Sequence, residues 1–168
     1  MTDAHEAVLR PEPLTAAAFA PFGEVIEPAS ARRRILINEG TAERFHDLAR
    51  IEPGADGRAI VSIFRGQPRP MPFAISLLER HPQGSQAFVP LSGRPYLVVV
   101  AEGRDGPDEA TLRVFLATDG QGVNFAPGVW HHPLLTLDEV SDFLVIDRDG
   151  PGPNCDERTL TRPVRVAP

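Results

Sequence analysis

From Ile35 to Asp147 the chain is mostly a series of short apolar or alternating segments with prolines and glycines between them. The strand candidates are Ile35–Asn38, Arg44–Ile51, Ala59–Arg65, Phe73–His81, Gln86–Pro90, Tyr96–Ala101, Leu112–Ala117, Val123–Phe125, His131–Leu137 and Phe143–Asp147. Pro53-Gly54, Gly66 to Pro72, Gly93 to Pro95, Gly103 to Pro107, Gly120 to Gly122 and Gly150 to Pro153 separate them. With 18 Pro and 14 Gly in 168 residues falling largely between candidates, the pattern favours an all-β barrel or sandwich over disorder.

One helix is expected near the start. Thr15 is placed to cap AAAFAPF, and Pro21 stands near its end. Glu24-Val25-Ile26 reads as a strand, and residues 29–34, with three consecutive arginines, as a solvated loop. Residues 1–13 read as an extended arm, and residues 159–168 as a terminal strand or edge-covering tail. No linker divides the chain, so residues 1–168 are expected to form one domain.

Charge and composition exclude several functions. The formal net charge of −6 argues against nucleic acid or an anionic membrane as partner. All 17 basic residues are arginine. No lysine Schiff base can form, and an anionic substrate must be held by arginine, histidine or backbone amides. The single cysteine, Cys155, allows no disulfide within the chain and no cysteine zinc site. Asn-Cys-Asp shows no adjacent base, so a nucleophilic role is not expected of it. Gly120-Gln121-Gly122 lacks the lysine and following helix of a phosphate loop. No apolar run is long enough to span a bilayer, and no signal peptide is read at the N-terminus, so a cytoplasmic location is expected.

The stretch LERHPQGSQAFVPLSG, residues 78–93, gathers the chemistry. Glu79 and His81 are two apart and share a face of a strand. Pro82 and Gly84 mark a turn, and Gln86 opens the next strand, which reads as a β-hairpin. Pro127-Gly128-Val129-Trp130-His131 reads as a second turn-and-strand that delivers another imidazole. His81 and His131 are the metal-ligand candidates, and they suit several divalent metals alike. Glu79 is a third ligand or a general base; Gln86 is a neutral ligand or a substrate contact. His132 alternates away from His131. Arg65 is the first candidate for a substrate carboxylate, and Arg80, which alternates away from Glu79, ranks below it. His46 or Asp47 faces inward, but adjacent residues of one strand cannot both do so. Asn38 either hydrogen-bonds a substrate or is ordinary turn chemistry. Asp147-Arg148 reads as an ion pair or loop anchor.

The segments Glu79-x-His81-x4-Gln86-x6-Gly93 and Pro127-Gly128-x2-His131 resemble the paired motifs of the cupins, although Phe73 stands where the first motif has glycine and Leu135 where the second has asparagine. Over nearly the whole chain, LERHPQGSQAFVPLSG, QGVNF, VWHHPL, SDFLVIDR, NCDE, INEGTAERFHDL and SIFRGQP resemble the ureidoglycolate lyases. That resemblance implies a cupin-like double-stranded β-helix barrel and a homodimer. It also implies cleavage of the C–N bond of ureidoglycolate to glyoxylate and urea in allantoin breakdown. Its metal is nickel, or the site is metal-free, since Gln86 is an amide where a carboxylate would bind an ion better. The residues assigned on it are His81 and His131 to metal or hydroxyl, Glu79 to base or ligand, Arg65 to the carboxylate, and Gln86, Asn38 and His46 to substrate contact. The competing readings are an amidohydrolase that releases ammonia from the same substrate, a non-catalytic cupin that senses a small carboxylate or sugar, and a sugar-phosphate isomerase.

Overall fold

The computed structural model describes residues 8–168. Its strands are β1 (Val8–Leu9), β2 (Glu12–Pro13), β3 (Gly23–Ile26), β4 (Arg33–Ile37), β5 (Ala42–His46), β6 (Arg58–Gly66), β7 (Phe73–Arg80) and β8 (Gln86–Pro90). They continue as β9 (Tyr96–Ala101), β10 (Arg113–Ala117), β11 (Gly122–Phe125), β12 (Trp130–His131), β13 (Leu135–Thr136), β14 (Ser141–Asp149) and β15 (Asp156–Val166). The one α-helix among the described residues, α1 (Ala16–Phe19), starts where expected: the Thr15 side chain accepts a hydrogen bond from the Ala18 N–H. No helix among the described residues is long and apolar enough to cross a membrane.

Two sheets carry the fold. An eight-stranded sheet runs β1-β15-β7-β12-β9-β10-β2, with β13 also on β9. A five-stranded sheet runs β3-β11-β8-β14-β6. Strand β9 shows how they stack. Tyr96, Val98 and Val100 point into one cluster with Phe88, Val123, Phe125, Phe143 and Val145 of the five-stranded sheet. The alternate residues Leu97, Val99 and Ala101 pack on the opposite face with Ile75, Leu78, Trp130 and Leu160. A strand buried on both faces has no need of polar alternation, which is why β9 reads YLVVVA. The first cluster fills the space between the sheets, and the second seals the outer face of the larger sheet. The result is the expected all-β, cupin-like barrel with a short N-terminal helix.

Several local readings need correction. Strands β7 and β8 are not a hairpin: β7 pairs with β15 and β12, whereas β8 pairs with β11 and β14. Residues 81–85 instead cross from one sheet to the other. The crossing is fixed from outside itself: Gln83 N–H donates to Asn154 Oδ1 at 2.8 Å, and Ser85 N–H donates to the Glu52 carbonyl at 2.8 Å. A Cβ on Gly84 would sit 2.9 Å from Arg148 Cβ, so the closeness of that packing requires glycine. The segment 131–137 splits into β12 and β13 around Pro133, which cannot donate to a ladder. Strand β5 ends at His46, because Asp47 has a φ of +56° and turns the chain out of the ladder. Arg33 and Arg34 lie in β4 rather than in a loop, and β4 and β5 form a separate two-stranded ribbon. Residues 8–13 of the expected arm are extended and pair in parallel with β15 and β10, and residues 1–7 lie outside the described residues. The tail from 159 continues β15, which lies between β1 and β7.

The inter-sheet cluster has a measurable weight. Phe115 is fully buried and meets Phe19 edge-on at 5.8 Å between ring centroids. Phe115→Ala is expected to lower the unfolding free energy by about 3–5 kcal/mol, the range for deleting a buried aromatic ring. Urea denaturation checks it, with a loss below about 1 kcal/mol as the contrary result.

Candidate active site

Strands β7 and β12 lie side by side, and Glu79 pairs directly with His131 across the ladder. Trp130 faces the outer cluster, so the next residue, His131, faces the barrel interior, where it is 1% exposed. His81 follows Glu79 by two residues, as the shared-face argument expects. Glu79 Oε1 lies 3.5 Å from His131 Nε2 and 3.9 Å from His81 Nε2. The ligand atoms of these three residues all lie within 4.8 Å of one another.

The other ring nitrogens settle the protonation pattern. His81 Nδ1 lies 2.7 Å from the Asn154 carbonyl, and His131 Nδ1 lies 2.9 Å from the Val129 carbonyl. A carbonyl oxygen only accepts, so each Nδ1 carries the hydrogen. In the neutral ring each Nε2 is then a bare lone pair, and both atoms are buried without a hydrogen-bond partner among the described residues. Two lone pairs and a carboxylate oxygen therefore face a common point. Such a point is stable only with positive charge in it, as a proton on an imidazole or as a bound cation. The Phe125 ring stacks on His131 at 4.1 Å between centroids, 11° from parallel, and holds the imidazole plane.

Electrostatics follow the geometry. Burial pushes the Glu79 carboxyl upward, but His131, then His81 and His132, pull harder, and the net pKa lies below the ordinary carboxylate value. Burial drives His132 below the usual histidine value despite the Pro133 carbonyl that accepts from it. Cys155 Sγ lies 4.0 Å from Glu79 Oε2 at the outer side of the cluster. Burial and the carboxylates of Glu79, Glu157 and Asp156 raise its pKa, so the thiol is protonated and unsuited to attack.

The opposite wall comes from the five-stranded sheet. Gln86 pairs with Phe125 in the ladder, shares the inward face with Phe88, and is 6% exposed. Its Nε2 is 3.4 Å from Asp147 Oδ2. Asp147 shares the inward face of β14 with Phe143 and Val145, so it belongs to the interior, not to a surface ion pair with Arg148. Sequence reading missed it, although the run Phe143-x-Val145-x-Asp147 carries the signal: a carboxylate ending an apolar face. It also missed Asn154, whose carbonyl orients His81 and whose side chain fixes residue 83.

Two expected substrate contacts, Arg65 and Asn38, are not brought to this cluster. Phe64 packs inward on Phe88, so Arg65 points to the outer face of β6, where it pairs with both oxygens of Asp142 at 2.8 and 2.9 Å. Arg65 is thus held by a partner on the outside of the sheet. Asn38 sits exposed at the tip of the β4–β5 ribbon with a φ of +52°, and its carbonyl accepts from Thr41, which is the turn role. His46 ends β5 opposite Arg33 with its Nδ1 buried, and Asp47 lies beside Glu24 and Arg50 in a groove against α1. Arg80 turns away from Glu79, pairs with Asp156 at 2.8 Å and stacks on Trp130.

Comparison with known proteins adds a family to this geometry. A family model described as ureidoglycolate lyase matches residues 6–167. A ureidoglycolate lyase of Burkholderia cepacia is 60% identical over 156 residues, 91% of this chain and 86% of the relative. One of Brucella anthropi is 58% identical over 154 residues, 91% of this chain and 90% of the relative. One of Pseudomonas syringae pv. tomato is 54% identical over 147 residues, 87% of this chain and 86% of the relative. Among solved structures, a dTDP sugar isomerase of Desulfovibrio desulfuricans G20 is 15% identical and aligns over 84% of this chain and 83% of its own, with a TM-score of 0.44.

The sign of the Glu79 shift gives a test. A depressed carboxyl pKa contributes stability above the unfolded pKa and loses it as pH falls through the folded one. His131→Phe keeps a stacked ring but removes the strongest pull. The Glu79 pKa is then expected to rise from its wild-type position, so that the variant loses part of the stability that the depressed carboxyl contributes above the unfolded pKa. Carboxyl-carbon NMR titration with melting curves across pH reads both effects; an unmoved Glu79 titration contradicts the assignment.

Proposed function

The chain belongs to the ureidoglycolate lyase family, and from that membership and the Glu79–His81–His131 cluster we propose that it splits ureidoglycolate to glyoxylate and urea. The observation that carries this reading is the convergence of two imidazole lone pairs and a carboxylate on one buried point. The substrate's reacting carbon bears a hydroxyl, a carboxylate and a ureido nitrogen. Cleavage breaks the bond between that carbon and the nitrogen, and the electron pair leaves with the nitrogen. The hydroxyl loses its proton and becomes the aldehyde of glyoxylate, and the leaving nitrogen gains one proton to become urea. The reaction is therefore a proton relocation around one breaking bond and needs no covalent enzyme intermediate.

The residues of the cluster suit that relocation. His131, neutral at Nε2 and held by the Val129 carbonyl, accepts the hydroxyl proton. Glu79, whose Oε1 lies 3.5 Å from that same Nε2, stabilises the imidazolium that results. The proton returns to the leaving nitrogen from the same pair. Glu79 presents Oε1 to the two imidazoles, and its Oε2 accepts from the Cys155 thiol at 4.0 Å.

The same atoms fit a divalent metal. Both Nε2 atoms are buried acceptors without donors, and each Nδ1 is oriented by a backbone carbonyl, the usual support for a metal-bound histidine. His81, His131 and Glu79 would hold it; histidine and carboxylate donors do not select nickel over zinc, iron or manganese. When bound, such an ion supplies positive charge that draws in the substrate's carboxylate and lowers the hydroxyl pKa. Of the two roles expected for Gln86, its hydrogen bond to Asp147 favours substrate contact over ligation. A homodimer is part of the proposal: Val61 and Ile63 on edge strand β6 and Leu36 on the ribbon are exposed apolar side chains that a second copy would cover.

Purified protein incubated with ureidoglycolate is expected to yield urea and glyoxylate in equal amounts. Ammonia without urea identifies an amidohydrolase instead, and no product identifies a binding protein. His131→Ala is expected to lower kcat/KM at least about a hundredfold, as loss of an acid–base or metal-binding group does. Near-normal turnover by the folded variant removes His131 from the scheme. Metal analysis paired with activity before and after chelation is expected to show metal retained by wild type and diminished in His81→Ala. Equal metal content in both proteins argues against the ligand set.

A further inference from the structure

We propose that Gln86 and Asp147 seat the ureido end of the substrate and so fix which way round it binds; this rests on the lyase reading above. The two residues lie on neighbouring strands at one end of the five-stranded sheet, where Ala87 pairs with Ile146. Gln86 Nε2 faces Asp147 Oδ2 at 3.4 Å. That contact fixes the amide, because the opposite orientation would turn its oxygen on the carboxylate. Two acceptors remain, Gln86 Oε1 and Asp147 Oδ1. Both are buried and neither has a donor among the described residues. Gln86 is 94% buried, from its 6% exposure. Its ladder partner Phe125 stacks on His131, so the pair faces the Glu79–His81–His131 cluster from the opposite wall of the same interior.

Two buried acceptors side by side select for a ligand that brings donors. The carboxylate of ureidoglycolate has none, and it would meet the Asp147 charge. Its ureido group carries three N–H bonds, and two of them, one on each nitrogen, point in the same direction. Seating these on Gln86 Oε1 and Asp147 Oδ1 turns the reacting carbon and its hydroxyl toward His131 and Glu79. The carboxylate then lies at the imidazole end, where positive charge collects. The acceptor pair also discriminates: a substrate with oxygen or a methyl group in place of those N–H bonds leaves buried acceptors unmet.

Asp147→Asn tests this with little change of shape. Whichever way the new amide turns, one of the two free acceptors becomes a donor. Oxalurate is the probe, because it keeps the ureido group and the carboxylate but has no carbinol carbon to split. Calorimetric titration is expected to show oxalurate binding the variant at least tenfold more weakly than wild type, with glyoxylate, which lacks the ureido group, within twofold. Equal weakening of both ligands means a general structural effect and overturns the proposal, as does no weakening of either. A second measurement needs no variant: oxalurate dimethylated on its terminal nitrogen is expected to bind wild type at least tenfold more weakly, and equal binding overturns the proposal. Wild-type turnover is followed alongside. Absence of urea and glyoxylate sinks the lyase reading, whereas turnover without oxalurate binding, or with unaltered binding in the variant, sinks only the orientation.

Discussion

Two imidazoles, one buried and one half-buried, are locked by their outer nitrogens and set the terms for the rest of the interior. Each Nδ1–H is committed to a backbone carbonyl, of Asn154 in one case and Val129 in the other. Each Nε2 is thereby left as an acceptor, and both are aimed at the same carboxylate oxygen. That arrangement is unfavourable by itself and becomes favourable with positive charge, which a proton or a divalent ion supplies. A fold built only for stability would have no use for it, since an apolar trio of similar volume would pack without an unmet acceptor. The barrel carries the cost through the apolar clusters on both faces of β9, which make the surrounding wall too rigid for the imidazoles to turn away.

The architecture was legible in the sequence where local chemistry decides it. Breaker spacing located nearly every strand, the Thr15 cap located the helix, and period-two alternation put Glu79 and His81 on one face. Pairing was not legible. LERHPQGSQAF has the composition of a hairpin, and nothing within those residues says otherwise. The residues that hold the crossing open, Glu52 and Asn154, lie 33 and 71 positions away from their partners Ser85 and Gln83. Long-range anchoring of this kind overrides turn chemistry and leaves no local trace.

The site was legible to the same depth. Spacing picked out the two imidazoles and the carboxylate between them, because those positions are set by strand periodicity and by turns. The arginine expected for the substrate carboxylate was chosen by residue type, and residue type does not report facing. In β6, Phe64 turns inward, so Arg65 must turn outward, and Asp142 opposite it completes an exposed pair. Asp147 was overlooked for the converse reason: Arg148 beside it suggested an ion pair, whereas alternation from Phe143 and Val145 places the carboxylate inside. Facing, counted from the nearest certain core residue, is the better guide in both cases.

The absence of lysine sharpens what the interior must do. Arginine is a wide, permanently charged group that is best satisfied by planar carboxylates. Here the well-formed pairs, Arg65 with Asp142, Arg80 with Asp156 and Arg113 with Glu12, all lie away from the imidazole cluster. The inner wall instead presents Glu79, Asp147 and the Gln86 oxygen, a set that repels anions. An anionic substrate binds at such a site only if positive charge waits at one end and hydrogen-bond donors on the substrate match the acceptors at the other. The imidazole end meets the first condition by protonation or by a bound cation. A molecule with a carboxylate at one end and N–H donors at the other meets the second, which narrows the ligand from anions in general to those with an amide or urea tail.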